Sequence, residues 1–148
     1  MPTDAREQAY AALWAVLDGI TAIDSRSRDL ATPVDFTDAS VDSWLVQIDG
    51  GEDLRPTQES SRMWLDARCE VWLAARGATT AQLAASLNEL RAKVLAAVYA
   101  NRTLGGIVAW VAYEGCTEPQ LEVDDIGAMG VTLVLTRTES DTDPYSLG

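Results

Sequence analysis

The chain has 148 residues, of which 47% are hydrophobic and 23% charged, which favours one globular domain over a disordered or fibrous chain. The formal net charge of -12 argues against binding of nucleic acid phosphates and against docking on an anionic membrane. The sequence contains no histidine, which excludes Ser-His-Asp and Cys-His catalytic pairs and histidine metal ligands.

The sequence carries no targeting or redox signature. Its first residues, MPTDAREQAY, lack the basic-then-apolar pattern of a signal peptide, and no apolar run approaches the length of a membrane span. We therefore expect a protein made in a cytoplasm, with no membrane partner. Cys69 and Cys116 are too far apart in sequence for a metal knuckle or a CxxC motif, so we expect two reduced thiols.

The first third of the chain predicts a helix, a connection and a strand. Apolar side chains recur at helical spacing over residues 4–24. The turn-rich stretch 25–40 predicts a long connection, with a short extended piece at 34–36. Residues 41–48 alternate as a strand does, and the polar stretch 49–60 predicts a loop that opens with a tight turn at Asp49-Gly50-Gly51.

The clearest strand covers residues 61–75, because its side chains alternate over the whole length. Apolar residues from Met63 to Leu73 form one face, which predicts contact with the core. The opposite face combines tryptophans with charges, and tryptophan and arginine are enriched at the centres of protein interfaces. We interpret this face as a candidate subunit interface; the alternative is a second layer of the same chain. The interface candidates are Trp64, Asp66, Arg68, Glu70 and Trp72.

The second half predicts a helix over 79–100, capped by Thr79 or Thr80. The apolar run 107–113 predicts a strand buried on both faces, so that Trp110, like Trp14, belongs to the core. A short strand at 121–126 and a glycine turn at 127–130 precede the last strand, residues 131–138.

This order of elements predicts an α+β fold: an antiparallel or mixed β-sheet of four to five strands, with two main α-helices packed on one face. We expect a single domain over residues 1–138 and a polar C-terminal tail over 139–148.

Residue patterns for catalysis or cofactor binding are weak. The glycine-rich spots lack the phosphate-binding spacing GxxxxGK[ST], and no serine has an evident base nearby. The acidic cluster Glu118, Glu122, Asp124 and Asp125 lacks the spacing of a calcium loop, so solvated charge is the simpler interpretation. We expect no enzyme activity, no cofactor and no metal.

The second half of the chain also resembles a known family. It carries a helix (TTAQLAASLNELRAKVLAAVYANRTLGG), a strand (IVAWVAYEG), an acidic strand (LEVDDIG) and a final strand with a polar end (AMGVTLVLTRTESDTDPY), and an alternating strand (MWLDARCEVWLAA) precedes them. This order and texture, over roughly residues 5–145, resembles the tail terminator (tail completion) proteins of long-tailed bacteriophages.

The resemblance implies a structural subunit of the virion, located at the junction of tail and neck after assembly in the host cytoplasm. Such subunits form a ring, typically a hexamer, which caps the tail tube, ends its polymerisation and joins the head-tail connector. The implied partners are other copies of the chain, the tail tube protein and the connector, and DNA passes through the ring without sequence-specific binding.

The acidity gains a physical meaning in such a ring, because a channel lined with carboxylates repels the DNA backbone. The candidate channel-facing residues are Asp49, Glu52, Asp53, Glu122, Asp124 and Asp125. The loop 49–60 and the tail are candidate contacts with tail and neck proteins, since long irregular segments in small domains are often functional. The residues concerned are Arg55, Arg137, Asp141, Asp143 and Tyr145.

Other functions remain open from sequence. The nearest alternative is another neck protein, either a head-completion protein or an adaptor of the head-tail connector. A second alternative is an acidic protein-binding module unrelated to phages, such as an inhibitor or a DNA mimic. A third is a small enzyme that works without histidine.

Overall fold

Residues 3–28, 34–55, 62–140 and 143–147 are described by a computed structural model. In these ranges the chain forms two helices and six strands. In chain order they are α1 (Ala5–Asp18), β1 (Ser25–Ser27), β2 (Ser43–Leu54), β3 (Arg62–Arg76), α2 (Thr80–Ala100), β4 (Trp110–Cys116), β5 (Gln120–Val123) and β6 (Ile126–Ser140).

The strands form one mixed sheet in the order β1-β2-β3-β6-β4, and β5 also pairs with β6. The β1–β2 pair is parallel and the other pairs are antiparallel. The predicted α+β class is therefore confirmed, with one more strand than the upper end of the predicted range.

Both helices begin at a side-chain cap. The carboxylate of Asp4 accepts hydrogen bonds from the backbone N of Arg6 at 2.9 Å and of Glu7 at 3.1 Å, which starts α1. The Thr79 hydroxyl accepts a bond from the backbone N of Gln82 at 3.2 Å and starts α2. The predicted helix 79–100 is confirmed, whereas α1 ends at Asp18, before the predicted end at residue 24.

The central pair of strands, β3 and β6, has 15 residues in each strand and pairs from Arg62 opposite Ser140 to Arg76 opposite Ile126. The predicted strand 61–75 is confirmed from Arg62 onward, and residue 61 lies outside the described ranges. The predicted turn at residues 127–130 is wrong, because both of its glycines lie inside β6. A Cβ at Gly127 would lie 3.3 Å from Leu87, so this glycine serves close packing of α2 on the sheet.

Strand β2 continues through the segment that predicted a hairpin turn. Asp49, Gly50 and Gly51 lie inside β2, so the predicted loop is wrong up to Leu54, and residues 56–61 lie outside the described ranges. A shift of register between Asp49 and Glu52 marks a bulge, which lets the strand bend without ending.

The connection 25–40 also differs from its prediction. Its short extended piece is not at 34–36, where the chain has no regular structure, but at Ser25–Ser27, which pairs in parallel with β2. Three polar residues carry no strand pattern of their own, so only the neighbouring strand defines β1.

The core lies between the helices and one face of the sheet, called here the inner face. Apolar residues from α1, α2 and alternate positions of the strands form it. Its fully buried centre includes Leu13, Leu17, Leu45, Ala67, Val71, Leu87, Val94, Leu133 and Leu135. The face opposite the helices is called the outer face.

Strand β4 is buried on one face only. Val111 packs into the core, whereas Trp110 on the outer face is 40% exposed. The prediction of a strand buried on both faces, with Trp110 in the core, is therefore wrong, because the helices cover only the inner face. Trp14 does pack against the core, as predicted.

The described part of the predicted tail lies against the domain. Glu139 and Ser140 belong to β6. The Pro144 carbonyl accepts a hydrogen bond from Ala5 N at 2.9 Å, and the Thr138 hydroxyl donates to the Leu147 carbonyl at 2.7 Å. In the described residues, neither helix has the length and hydropathy needed to cross a membrane.

Candidate assembly surface

The outer face is built on the alternation of β3. Its five predicted interface residues lie on this face opposite residues of β6, in the pairs Trp64–Thr138, Asp66–Thr136, Arg68–Val134, Glu70–Thr132 and Trp72–Gly130. The structure therefore brings the predicted interface candidates together on one surface; whether that surface contacts another subunit stays a prediction.

The middle of the outer face is polar and accessible. Arg68 and Glu70 are exposed, and Arg68 Nη1 lies 2.6 Å from the carboxylate of Asp53. Asp66 accepts hydrogen bonds from Thr136 Oγ1 at 2.6 Å and from Arg55 Nε at 2.8 Å. These contacts pair the charged side chains of the outer face with partners in the same chain.

Two tryptophans meet at one end of this face. The ring centroids of Trp64 and Trp110 are 6.4 Å apart, and the guanidinium of Arg55 lies 5.8 Å from the Trp110 ring. We call Arg55, Trp64 and Trp110 the aromatic end. Sequence analysis missed the part played by Trp110, because the apolar run around it hides the alternation between inner and outer faces.

The other end of the face is covered by the chain itself. Phe36 packs against Trp44 at 5.1 Å and against Trp72 at 6.1 Å between ring centroids, and both Val34 and Val41 join this cluster. The alternative of a second layer from the same chain is thus correct for Trp72, and the aromatic end lies outside this cluster.

The predicted channel acids fall into two groups at opposite ends of the sheet. Asp53 lies opposite Asp66 in β3, whereas Asp125 lies beside Arg76 at the far end of that strand. Ten residues of strand separate these positions, which corresponds to about 33 Å. The first group is Asp49, Glu52 and Asp53, and the second is Glu122, Asp124 and Asp125.

Several of these acids are paired with arginines. Asp49 Oδ2 lies 2.7 Å from Arg28 Nη2, and Asp125 Oδ1 lies 3.3 Å from Arg76 Nη1. Asp124 is exposed in the turn between β5 and β6 with a positive φ of 40°. No group of three or more cysteines and acids within the described ranges could hold a metal ion.

The residues predicted to contact tail and neck proteins differ in solvent exposure. Arg137 is only 1% exposed, paired with Glu52 and, at 2.9 Å, with Glu139, so its guanidinium does not reach the surface. Tyr145 is 44% exposed, and its backbone N donates to the Asp143 carboxylate at 3.0 Å. Arg55 belongs to the aromatic end; Asp141 lies outside the described residues.

Two titratable groups lie below the bulge of β2. Burial and the nearby Asp49 carboxylate raise the pKa of Tyr10 to about 12, and its hydroxyl lies 3.1 Å from the Gly50 carbonyl and 2.9 Å from the Arg68 carbonyl. Burial, with a smaller effect of Asp49, also raises the pKa of the Cys69 thiol to about 12. Both groups are therefore neutral structural parts, and Cys116 is the exposed thiol.

Comparison with known proteins finds likeness at the level of structure and none at the level of a sequence family. No family model matches the sequence, and a search of curated proteins found no match. A chain from the solved structure "Virion of native gene transfer agent (GTA) particle" aligns with 10% sequence identity and a TM-score of 0.49, over 86% of this chain and 92% of that chain.

Proposed function

We propose that the chain is a structural virion subunit of the tail terminator type. In this proposal copies of the chain form a hexameric ring on the end of the tail tube, stop its growth and present the joint to the head-tail connector. DNA passes through the ring, and the subunit carries out no chemistry. The observation that carries the proposal is the uncovered aromatic end of the outer face, with Trp110 at 40% exposure.

An exposed tryptophan that lies beside a half-buried tryptophan and an arginine is unusual for a surface that only meets water. Large aromatic side chains supply most of the binding energy when they are buried at an interface, and arginine accompanies them there. The neighbouring charges are already held by Asp66, Thr136 and Asp53, so a partner would meet a preformed surface.

The element order behind the resemblance gives further support. In the fold, α2, β4, β5 and β6 follow one another as the resemblance implies, after the alternating strand β3. A subunit that joins a ring needs two contact surfaces, one for each neighbour, as well as surfaces for tube and neck.

The negative charge fits a passage for DNA. We propose that carboxylates from the two acidic groups face the channel, with the exposed Asp53 and Asp124 among them. A negative lining keeps phosphates from adhering, so DNA passes quickly. A channel with a net positive lining in an imaged ring would contradict this part of the proposal.

The test is to add the purified protein to isolated tail tubes. Light scattering across protein concentration gives the mass of the free species, and electron microscopy then images the tube ends. We expect a cap one subunit thick and tubes that no longer elongate. Binding to portal or connector complexes without tube caps would favour a different neck protein, and binding to neither would favour an acidic protein-binding module.

A further inference from the structure

An apolar groove with acidic neighbours lies at the opposite end of the molecule from the aromatic end. It has a volume of about 350 Å³ and runs between the first turns of α2 and strand β5. Leu83, Leu87, Pro119 and Leu121 supply its apolar lining, and Glu118 lies among them. We call these five residues the acidic groove.

The groove is open to a partner. All four residues of β5 are exposed, and Leu121 at 68% is the most exposed large apolar side chain of the described chain. Val123 next to it is 45% exposed. An exposed apolar patch of this kind, bordered by charges, marks a site of protein contact.

The two surfaces cannot meet within one molecule. The groove begins at Thr80, the first residue of α2, whereas Trp110 follows the far end of that helix. The 21 residues of α2 span about 30 Å. The strand register agrees, because the groove includes Gly127 of β6 and Trp110 pairs with Thr136.

The two surfaces offer opposite charges, Arg55 on one and Glu118 on the other. The aromatic end presents an indole with an arginine whose side chain is 45% exposed, in a chain whose net charge is -12. The groove presents leucines with a carboxylate, and its volume lies at the lower end of the range for small-ligand pockets, enough for an indole ring. Because copies of so acidic a chain repel one another, a local pairing of opposite charges is needed to set their orientation.

We propose that the aromatic end of one copy docks into the acidic groove of the next copy, with Trp110 against the exposed Pro119 and Leu121 and with Arg55 beside Glu118. The contact is head-to-tail, since it joins different surfaces of identical chains, and repeated contacts of this type form a ring when the rotation between neighbours closes. The inference rests on the proposed ring, for which it names the subunit contact.

Cys116 provides a native probe for this contact. It is exposed and lies two residues before Glu118, whereas Cys69 is buried and does not compete for a thiol reagent. A photoactivated crosslinker attached to Cys116 would sit beside the acidic groove. Mixing ¹⁴N and ¹⁵N chains at high concentration distinguishes crosslinks between copies from those within one chain, by mass spectrometry.

We expect crosslinks between copies to fall in peptides around Arg55, Trp64 and Trp110. Arg55→Glu and Glu118→Arg should each reduce their yield on the order of tenfold, because each places like charges together. The double variant, which exchanges the two charges, should recover most of the yield. Glu89→Arg, an equal charge change on the exposed face of α2, is the matched control and should leave the yield unchanged.

The inference would be overturned if crosslinks between copies were absent or fell on other surfaces. It would also be overturned if the double variant gave a crosslink yield as low as that of the single variants. The two proposals can fail separately. Caps on tube ends without these crosslinks would keep the proposed function and reject this contact. Crosslinks in solution without any cap on tubes would keep the contact and reject the proposed function.

Discussion

Arg137 is the most unusual single residue in the fold, because a charged side chain is almost completely buried. Its guanidinium pairs with Glu52 and Glu139, whose side chains are 22% and 12% exposed. Removal of one member of a buried ion pair leaves the remaining charges without compensation, and this costs more than the pair contributes.

Arg137→Ala should therefore lower the free energy of unfolding by about 3–5 kcal/mol. Urea unfolding followed by tryptophan fluorescence measures this change. The control is Arg55→Ala, which removes an arginine that is 45% exposed and should cost at most about 1 kcal/mol. Equal losses in both variants would show that burial of Arg137 is not what makes its charge important.

Tyr10 and Cys69 predict a loss of stability at alkaline pH. Their pKa values rise from 10.0 and 9.0 in the unfolded chain to about 12 in the fold, so the folded state holds these protons more tightly. This contribution is complete below pH 9 and is lost as the pH rises from 9 to about 12. The free energy of unfolding should fall over this range.

The Cys69→Ala variant should reduce the fall of the free energy of unfolding from pH 9 upward, and Tyr10→Phe should reduce it above pH 10. Unfolding curves at several pH values measure both effects. The native protein should also react with one equivalent of a thiol reagent at pH 8, at Cys116, and with a second only after unfolding. Rapid reaction of two thiols in the folded protein would contradict the buried position of Cys69.

Among the elements, the strands that contain glycine have bounds that the sequence did not predict. Alternation in β3 and helical spacing in α2 predicted both elements almost to the residue, because each has one apolar face that must be buried. Gly50 and Gly127 predicted turns, yet both lie within strands. A glycine needed for close packing and a glycine needed for a turn look the same in one sequence.

Gly50 and Gly51 offer a matched pair of substitutions in the same bulge. A Cβ at Gly50 would lie 2.8 Å from the backbone O of Arg68, whereas nothing lies within 4 Å of a Cβ at Gly51. Gly50→Ala should destabilise the fold by about 1–3 kcal/mol, since backbone atoms must move. Gly51→Ala should be close to neutral. Thermal unfolding of both variants measures the difference, and similar transitions would reject the close approach of β2 and β3.

The candidate site was predictable in part, because alternation along a strand assigns its side chains to two faces. The outer positions of β3 follow from alternation, so Trp64 and Arg68 could be placed on one face. Trp110 could not, because residues 107–113 are apolar on both sides and give no direction. Phe36 covers Trp72 from an irregular segment, and no periodic pattern in the sequence predicts the path of such a segment.

For the whole molecule, we expect a substitution at the aromatic end to weaken association between molecules and to leave the free energy of unfolding nearly unchanged. Trp110 is 40% exposed, so Trp110→Ala should change the free energy of unfolding far less than a core substitution does. If Trp110 is a hot spot of the proposed contact, its loss costs about 2 kcal/mol of binding or more, which is roughly 30-fold in affinity. Capping of tail tubes should therefore require a much higher protein concentration, measured by titration of tube ends.

Tyr99→Ala is the control for this variant. Tyr99 is 46% exposed but belongs to α2, on the other layer of the fold. Its loss should leave the capping concentration within about twofold of the unchanged protein, as expected for a residue outside the contact. Equal effects of Trp110→Ala and Tyr99→Ala would mean that exposed aromatic surface in general, and not the aromatic end, drives association.

The central position of β3 and β6 also determines how the backbone opens. Each has a strand on both sides, so nearly every amide along their 15-residue pairing is protected, while β1, β4 and β5 lie at edges of the sheet. Deuterium should enter the edges first and the central pair last, only through global unfolding. Because the edge strands open more easily than the central pair, the chain can adjust its edges to a neighbouring molecule while β3 and β6 stay paired.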